Sequence, residues 1–123
     1  MGEMNKIHCC SCGKDWEYRT GCGIMHSQLD RIAGLFIEDI AEQFMVYAEE
    51  KPPVIFDFAF KPAQCSNCRN IVDVPVLEVK GEHYVGDCLL CGHKVKTLKD
   101  TENLKCPICS GEDFEQSIIG HWD

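Results

Sequence analysis

Eight of the ten cysteines in this 123-residue chain fall into four Cys-x2-Cys pairs: Cys9/Cys12, Cys65/Cys68, Cys88/Cys91 and Cys106/Cys109. Two thiolates three positions apart on a tight turn can face one ion, and two such turns complete a tetrahedral four-sulfur shell. A lone pair would fit a redox turn equally well, whereas four pairs supply two full ligand sets. These eight cysteines are the expected metal ligands. Zinc is the expected ion, and iron is the other metal that four thiolates hold in this geometry. Glycine follows two of the pairs, at Gly13 and Gly92, where a chain curling round a metal often needs positive φ. Arg69 and Ser110 follow the other two.

Disulfides are the competing use of paired cysteines. No leader-like apolar stretch opens the sequence, where Lys6, His8 and Cys9 interrupt the first apolar residues. No run approaches the ~20 apolar residues of a membrane span. The expectation is therefore a cytoplasmic chain, in a compartment that keeps thiols reduced. Hydrophobic residues reach 45% only with the cysteines counted. So thin a core usually needs a staple, and in the cytosol that staple is a metal.

Proximity along the chain favours joining neighbouring knuckles. Cys88/Cys91 and Cys106/Cys109 then form a C-terminal ribbon, with strands at "HKVKTL" and "FEQSIIGHW" and a turn at "KDTEN". Cys9/Cys12 meets Cys65/Cys68 across a long insertion. The rival scheme joins Cys65/Cys68 to Cys88/Cys91 around a hairpin and sends the N-terminal pair to the C-terminal one.

The insertion reads as a long amphipathic helix over 27–50. Ser27 and Asp30 offer a capping-box-like start, and Pro52-Pro53 a stop. Leu29, Ile32, Ala33, Phe36, Ile37, Ile40, Phe44, Tyr47 and Ala48 form an apolar stripe opposite Glu38, Asp39, Glu42 and Glu49. That stripe is expected to pack on the following strands. Leu35, Met45 and Val46 at its edges are the residues available to a partner or to a homodimer through the helix. Alternation in "VIFDFAF" and the run "IVDVPVLEV" predict strands on either side of the second knuckle, with Pro75 restricting the latter to an edge or a bulge. Lys80-Gly81 turns the chain into "EHYVG".

The fold expected is thus α+β: a small metal-stabilised protein of two four-cysteine units, the first carrying the inserted helix. The units span 1–80 and 81–123, with a boundary near Gly81 to Gly86.

Charge bears on partners. The formal net charge is −8, and two divalent ions held by four thiolates each would take it to about −12. Nucleic-acid binding rests on basic residues neutralising phosphates, and 12 basic against 20 acidic residues argue for a protein partner instead. The counter-case is a local patch at Lys94, Lys96, Lys99 and Lys105. Two cysteines are left over. Cys22 sits between glycines with His26 close by, which suggests a reactive thiol; its plainer reading is a small residue in a tight loop. Cys10 is expected to face outward. His8, His83, His93 and His121 flank the knuckles as substitute ligands, and Trp16, Tyr18 and Trp122 are expected to cover the metal turns. No catalytic set is legible, so an enzyme is not expected.

The stretch "CLLCGHKV…LKCPICSGEDFEQ", in which residues 88–114 carry the match, resembles the zinc-ribbon and rubredoxin-like family in its Cys-x2-Cys-Gly and Cys-Pro-x-Cys knuckles. The N-terminal part is similar to small bacterial zinc-ribbon proteins of unassigned function: Cys9/Cys12/Gly13, the aromatics Trp16 and Tyr18, Gly21/Gly23, a long helix, then Cys65/Cys68. The ribbon of hydrogenase-maturation nickel chaperones also looks similar, down to "IIGHW", although those proteins start Met-His-Glu and this chain starts "MGEM". The resemblance implies a structural zinc protein acting as an interaction or regulatory module. Its alternatives are a rubredoxin-like iron electron carrier, a metal-handling or redox protein using Cys22, and, less in keeping with the charge, a nucleic-acid-binding regulator.

Overall fold

The computed structural model describes residues 2–23, 28–51, 54–98 and 104–122. Seven strands dominate them: β1 (Gly2–Cys9), β2 (Asp15–Gly21), β3 (Phe56–Cys65), β4 (Ile71–Val79), β5 (Glu82–Val85), β6 (Val95–Thr97) and β7 (Phe114–Trp122). They make one antiparallel sheet in the order β5-β4-β3-β2-β1-β7, with β6 on β3. Strands form at each of the expected stretches "VIFDFAF", "IVDVPVLEV", "EHYVG", "HKVKTL" and "FEQSIIGHW", but β3 starts two residues later and runs on to Cys65, and β6 keeps only Val95–Thr97 of its stretch. Phe58 and Phe60 point inward while Asp57 is exposed, as the alternation requires.

The expected α+β fold with a long helix is wrong. Among the described residues there are two short helices, α1 (Leu29–Ala33) and α2 (Glu38–Met45), and the rest is mostly sheet. The break falls at Gly34, a poor helix former, and Ile37 restarts the chain from an extended conformation without a side-chain cap. Folding back at this point brings Phe36 and Phe44 edge to face, with ring centroids 5.3 Å apart. Both then join Leu29, Ile32, Phe58, Phe60, Leu77, Val79 and Tyr84 in one buried cluster against β3–β5. The stripe does pack on the strands that follow, as expected, except at Ile37 and Ala48, which are exposed. Met45 packs with it, whereas Leu35 and Val46 are exposed. Ser27 and Pro52-Pro53, expected to bound the helix, lie outside the described residues.

Pro75 does not sit on an edge: β4 has β3 on one side and β5 on the other. Phe60 faces Pro75 and Pro62 faces Asp73 in register. The Gly86 amide donates to the Pro75 carbonyl at 2.9 Å, and the Leu98 amide to the Pro62 carbonyl at 2.9 Å. Both prolines therefore turn their backbone polar groups away from the β3–β4 ladder, and neither removes a bond from it. A Cβ at Gly86 would stand 2.7 Å from the Pro75 ring, so this close approach requires glycine. Lys80 and Gly81 both have positive φ and close the two-residue β4–β5 turn, as hairpin twist demands.

The sheet is thin in the middle. β2 and β3 share a single register pair, Gly21 with Phe60. Arg19 spans that seam from β2 to β4. Its Nη2 and Nε donate to the two carboxylate oxygens of Asp73 at 2.9 and 3.2 Å, and its backbone amide donates to the same group at 2.8 Å. The guanidinium also lies 4.0 Å above the centre of the Phe60 ring, and Phe60 in turn meets Trp122 edge to face. Such a planar, two-pronged, stacked contact belongs to arginine alone. Arg19→Ala should cost about 2 kcal/mol, read as a lower urea midpoint of metal-loaded protein, and Arg19→Lys should recover less than half of the loss. An unchanged midpoint in the alanine variant would show that the seam does not depend on this contact.

Candidate metal centres

All four knuckles have one backbone plan. The amide of the first cysteine donates to a carbonyl five residues on: Cys9 to Lys14, Cys65 to Asn70, Cys88 to His93 and Cys106 to Gly111, at 2.8–3.1 Å. The residue after the second cysteine has positive φ in every case: Gly13 at 81°, Arg69 at 63°, Gly92 at 76° and Ser110 at 61°. Arg69 and Ser110 thus adopt the glycine conformation without being glycine. The turn aims amides at sulfur: Asn67 and Cys68 donate to Cys65 Sγ, Ile108 to Cys106 Sγ and Gly111 to Cys109 Sγ, at 3.3–3.4 Å. Donors placed this way stabilise thiolate charge and orient the ligands.

The sulfurs converge in two groups, Cys9/Cys12/Cys106/Cys109 and Cys65/Cys68/Cys88/Cys91, each with its ligand atoms within 4.8 Å of one another. Cys9 and Cys109 are 3.6 Å apart, Cys12 and Cys106 3.6 Å, Cys65 and Cys91 3.3 Å, and Cys68 and Cys88 3.8 Å. A tetrahedron with metal–sulfur bonds of ~2.3 Å has sulfur–sulfur edges of ~3.8 Å. A disulfide would need ~2.05 Å. The residues present fit a metal held by four thiolates.

The grouping is the rival scheme, not the one favoured by proximity along the chain. Two strand pairings explain it. β1 and β7 run antiparallel with Cys9 opposite Phe114, which sets the first knuckle beside the fourth. β3 pairs with β6, Cys65 opposite Val95, which sets the second beside the third. The expected C-terminal ribbon does not close on itself, because β6 and β7 each pair with a strand from earlier in the chain. Its turn "KDTEN" lies outside the described residues.

The two centres differ in setting. In the first, Cys9 and Cys106 are buried and Cys12 and Cys109 exposed; in the second, Cys65 and Cys88 are buried and Cys68 and Cys91 half-buried. Trp16 and Tyr18 pack with Cys9 and Cys106 and do cover the first centre, together with Ile7, Ile71 and Leu104. Trp122 does not; it lies at the far end of β7, on Phe60 and over Gly2. In the second centre the His93 backbone amide draws the Cys91 thiol down to about 5, while burial pushes the Cys88 thiol up to about 11. An ion that binds all four must displace the protons still held there.

Of the other expected residues, Cys10 is exposed and belongs to neither group. Cys22 is half-buried against the helix–sheet core. Its proposed partner His26 lies outside the described residues, as does Lys99. No histidine among the described residues joins either sulfur group: His8 pairs with Asp15 and His83 with Glu78. The left-handed turns at Arg69 and Ser110 were not legible. The signal that should have found them is equivalence with Gly13 and Gly92 at the same offset.

No protein-family model matches this chain, and no curated protein or solved structure matches it significantly.

A side chain in the left-handed region costs ~1–2 kcal/mol, and nothing lies within 4 Å of a Cβ placed at Gly13 or Gly92. Gly13→Ala and Gly92→Ala should therefore lower stability by about 1 kcal/mol each through φ alone. Ser110→Gly and Arg69→Gly should raise it, by up to about 1 kcal/mol. Chemical denaturation of the metal-loaded variants reads both signs, and stabilisation by Gly13→Ala would refute the shared turn geometry.

Proposed function

We propose that this chain is a zinc protein of a reducing compartment, the cytoplasm, whose two four-cysteine centres are structural and whose surface serves a protein partner. The observation that carries the reading is the convergence of four sulfurs in each group within 4.8 Å of one another, with two pairs at 3.6 Å in the first and pairs at 3.3 and 3.8 Å in the second. A shell filled by four thiolates has no position left for water or substrate, which favours a scaffold over a hydrolytic site. No helix among the described residues is long and apolar enough to cross a membrane. The net charge of −8 continues to favour a protein partner over nucleic acid.

Metal analysis of paired variants tests both the chemistry and the grouping. Purified protein should hold two zinc ions per chain. Cys9→Ser with Cys109→Ser removes two ligands from one centre and should leave about one ion; Cys9→Ser with Cys65→Ser breaks both centres and should leave none. Iron with a reversible redox couple would replace the zinc reading by electron transfer. Two ions retained by either double variant would refute the ligand assignment.

A further inference from the structure

Beside the second metal centre runs a groove of about 380 Å³ lined by Gly34, Leu35, Phe36, Ile37, Asp87, Cys88, Leu89, Leu90 and Gly92. Its walls come from the link between α1 and α2 and from the tip of the third knuckle. Four of its large apolar residues face solvent: Leu35 at 37%, Ile37 at 52%, Leu89 at 67% and Leu90 at 66% exposure. Knuckle positions between two ligands need no particular side chain for metal binding, so two leucines there have no structural reason to be apolar. Exposed large apolar side chains gathered in one groove are the kind of surface that marks a contact site on a monomer.

Charge says what kind of partner fits. Among the described residues, Asp87 is the one charged residue of the lining. Glu38 and Asp39, both exposed, follow Ile37 directly at the start of α2. Cys88 is both a wall of the groove and a member of the second sulfur group. With a divalent ion bound, that group carries a net charge of about −2 immediately behind the apolar surface. An apolar groove with an anionic back and an acidic rim is complementary to apolar anchors flanked by lysine or arginine. None of the lining residues is in a strand, so the groove offers no ladder edge to an extended peptide, and recognition falls to side chains.

We propose that this groove is a docking site for a basic amphipathic helix of another protein, its apolar face laid between Leu35/Ile37 and Leu89/Leu90. The proposal rests on the metal-bound reading above and names the surface that a partner would use.

The test uses full-length, metal-loaded protein and three fluorescent peptides. One has leucines at i, i+3, i+4 and i+7 with lysines elsewhere; the second has glutamates for the lysines; the third scrambles the first. The first should bind, weaken as salt rises, and shift the backbone amide resonances of Leu35, Ile37, Leu89 and Leu90. Leu89→Ser with Leu90→Ser should weaken it about tenfold or more, while the control pair Ile118→Ser with Ile119→Ser, exposed on β7, should leave it unchanged. Equal binding of all three peptides, shifts elsewhere on the surface, or an unaffected Leu89/Leu90 variant would overturn the proposal. So would self-association of the chain that the Leu89/Leu90 variant abolishes, since the groove's occupant would then be a second copy. Metal content is measured on the same samples: two ions per chain with no peptide effect removes the groove alone, whereas absent metal removes the reading beneath it.

Discussion

Four sulfur atoms drawn this close repel one another as thiolates and gain little as thiols. A divalent cation at their centre turns the same arrangement into the strongest contact in the chain, ~10–16 kcal/mol in zinc-finger peptides. A whole domain is typically stable by only ~5–15 kcal/mol. Two such centres, once filled, would therefore outweigh any single part of the hydrophobic interior. That interior is divided: helices against β3–β5 in one cluster, aromatic cover for the first centre in another, and a small group around Ala63, Val74 and Val76.

The positions of the centres tell what they hold. The first joins the start of the chain to its end, across the β1–β7 pairing. The second closes the β3–β4–β5–β6 half on itself. Between the halves run one register pair at Gly21 and Phe60, the Arg19–Asp73 clamp, and apolar contacts such as Ile71 reaching the cover of the first centre. Each half thus has its own four-cysteine group able to take a metal staple, and the seam depends on ordinary side-chain forces. The same layout leaves the outer faces of the knuckles free, and it is there that Leu89 and Leu90 stand in the open.

Much of this was legible in the residues, and the failures share a cause. The eight clustered cysteines, the strands from β3 onward and the Lys80-Gly81 turn follow from local spacing and pattern. The grouping of the knuckles does not, because it is decided by which strands pair. Proximity along the chain misleads here: lengthening a loop several-fold adds only ~1–2 kcal/mol, little beside a metal centre. β1 and β2 escaped notice because "GEMNKIHC" and "DWEYRTG" mix charged and apolar residues and bury only part of each strand. The expected long helix breaks at Gly34, where one poor helix former interrupts an otherwise sustained helical period and the chain folds back to pack Phe36 on Phe44. Arg69 and Ser110 hide their left-handed φ because glycine, the residue that signals it, is missing.

Hydrogen exchange before and after metal removal tests the central claim most directly. Under reducing conditions, exhaustive chelation at neutral pH should strip the ions and abolish amide protection in β1, β7, β3 and β6 together, with return on adding zinc. A metal-free chain that keeps slow exchange throughout those strands and unfolds cooperatively at an unchanged midpoint would contradict it.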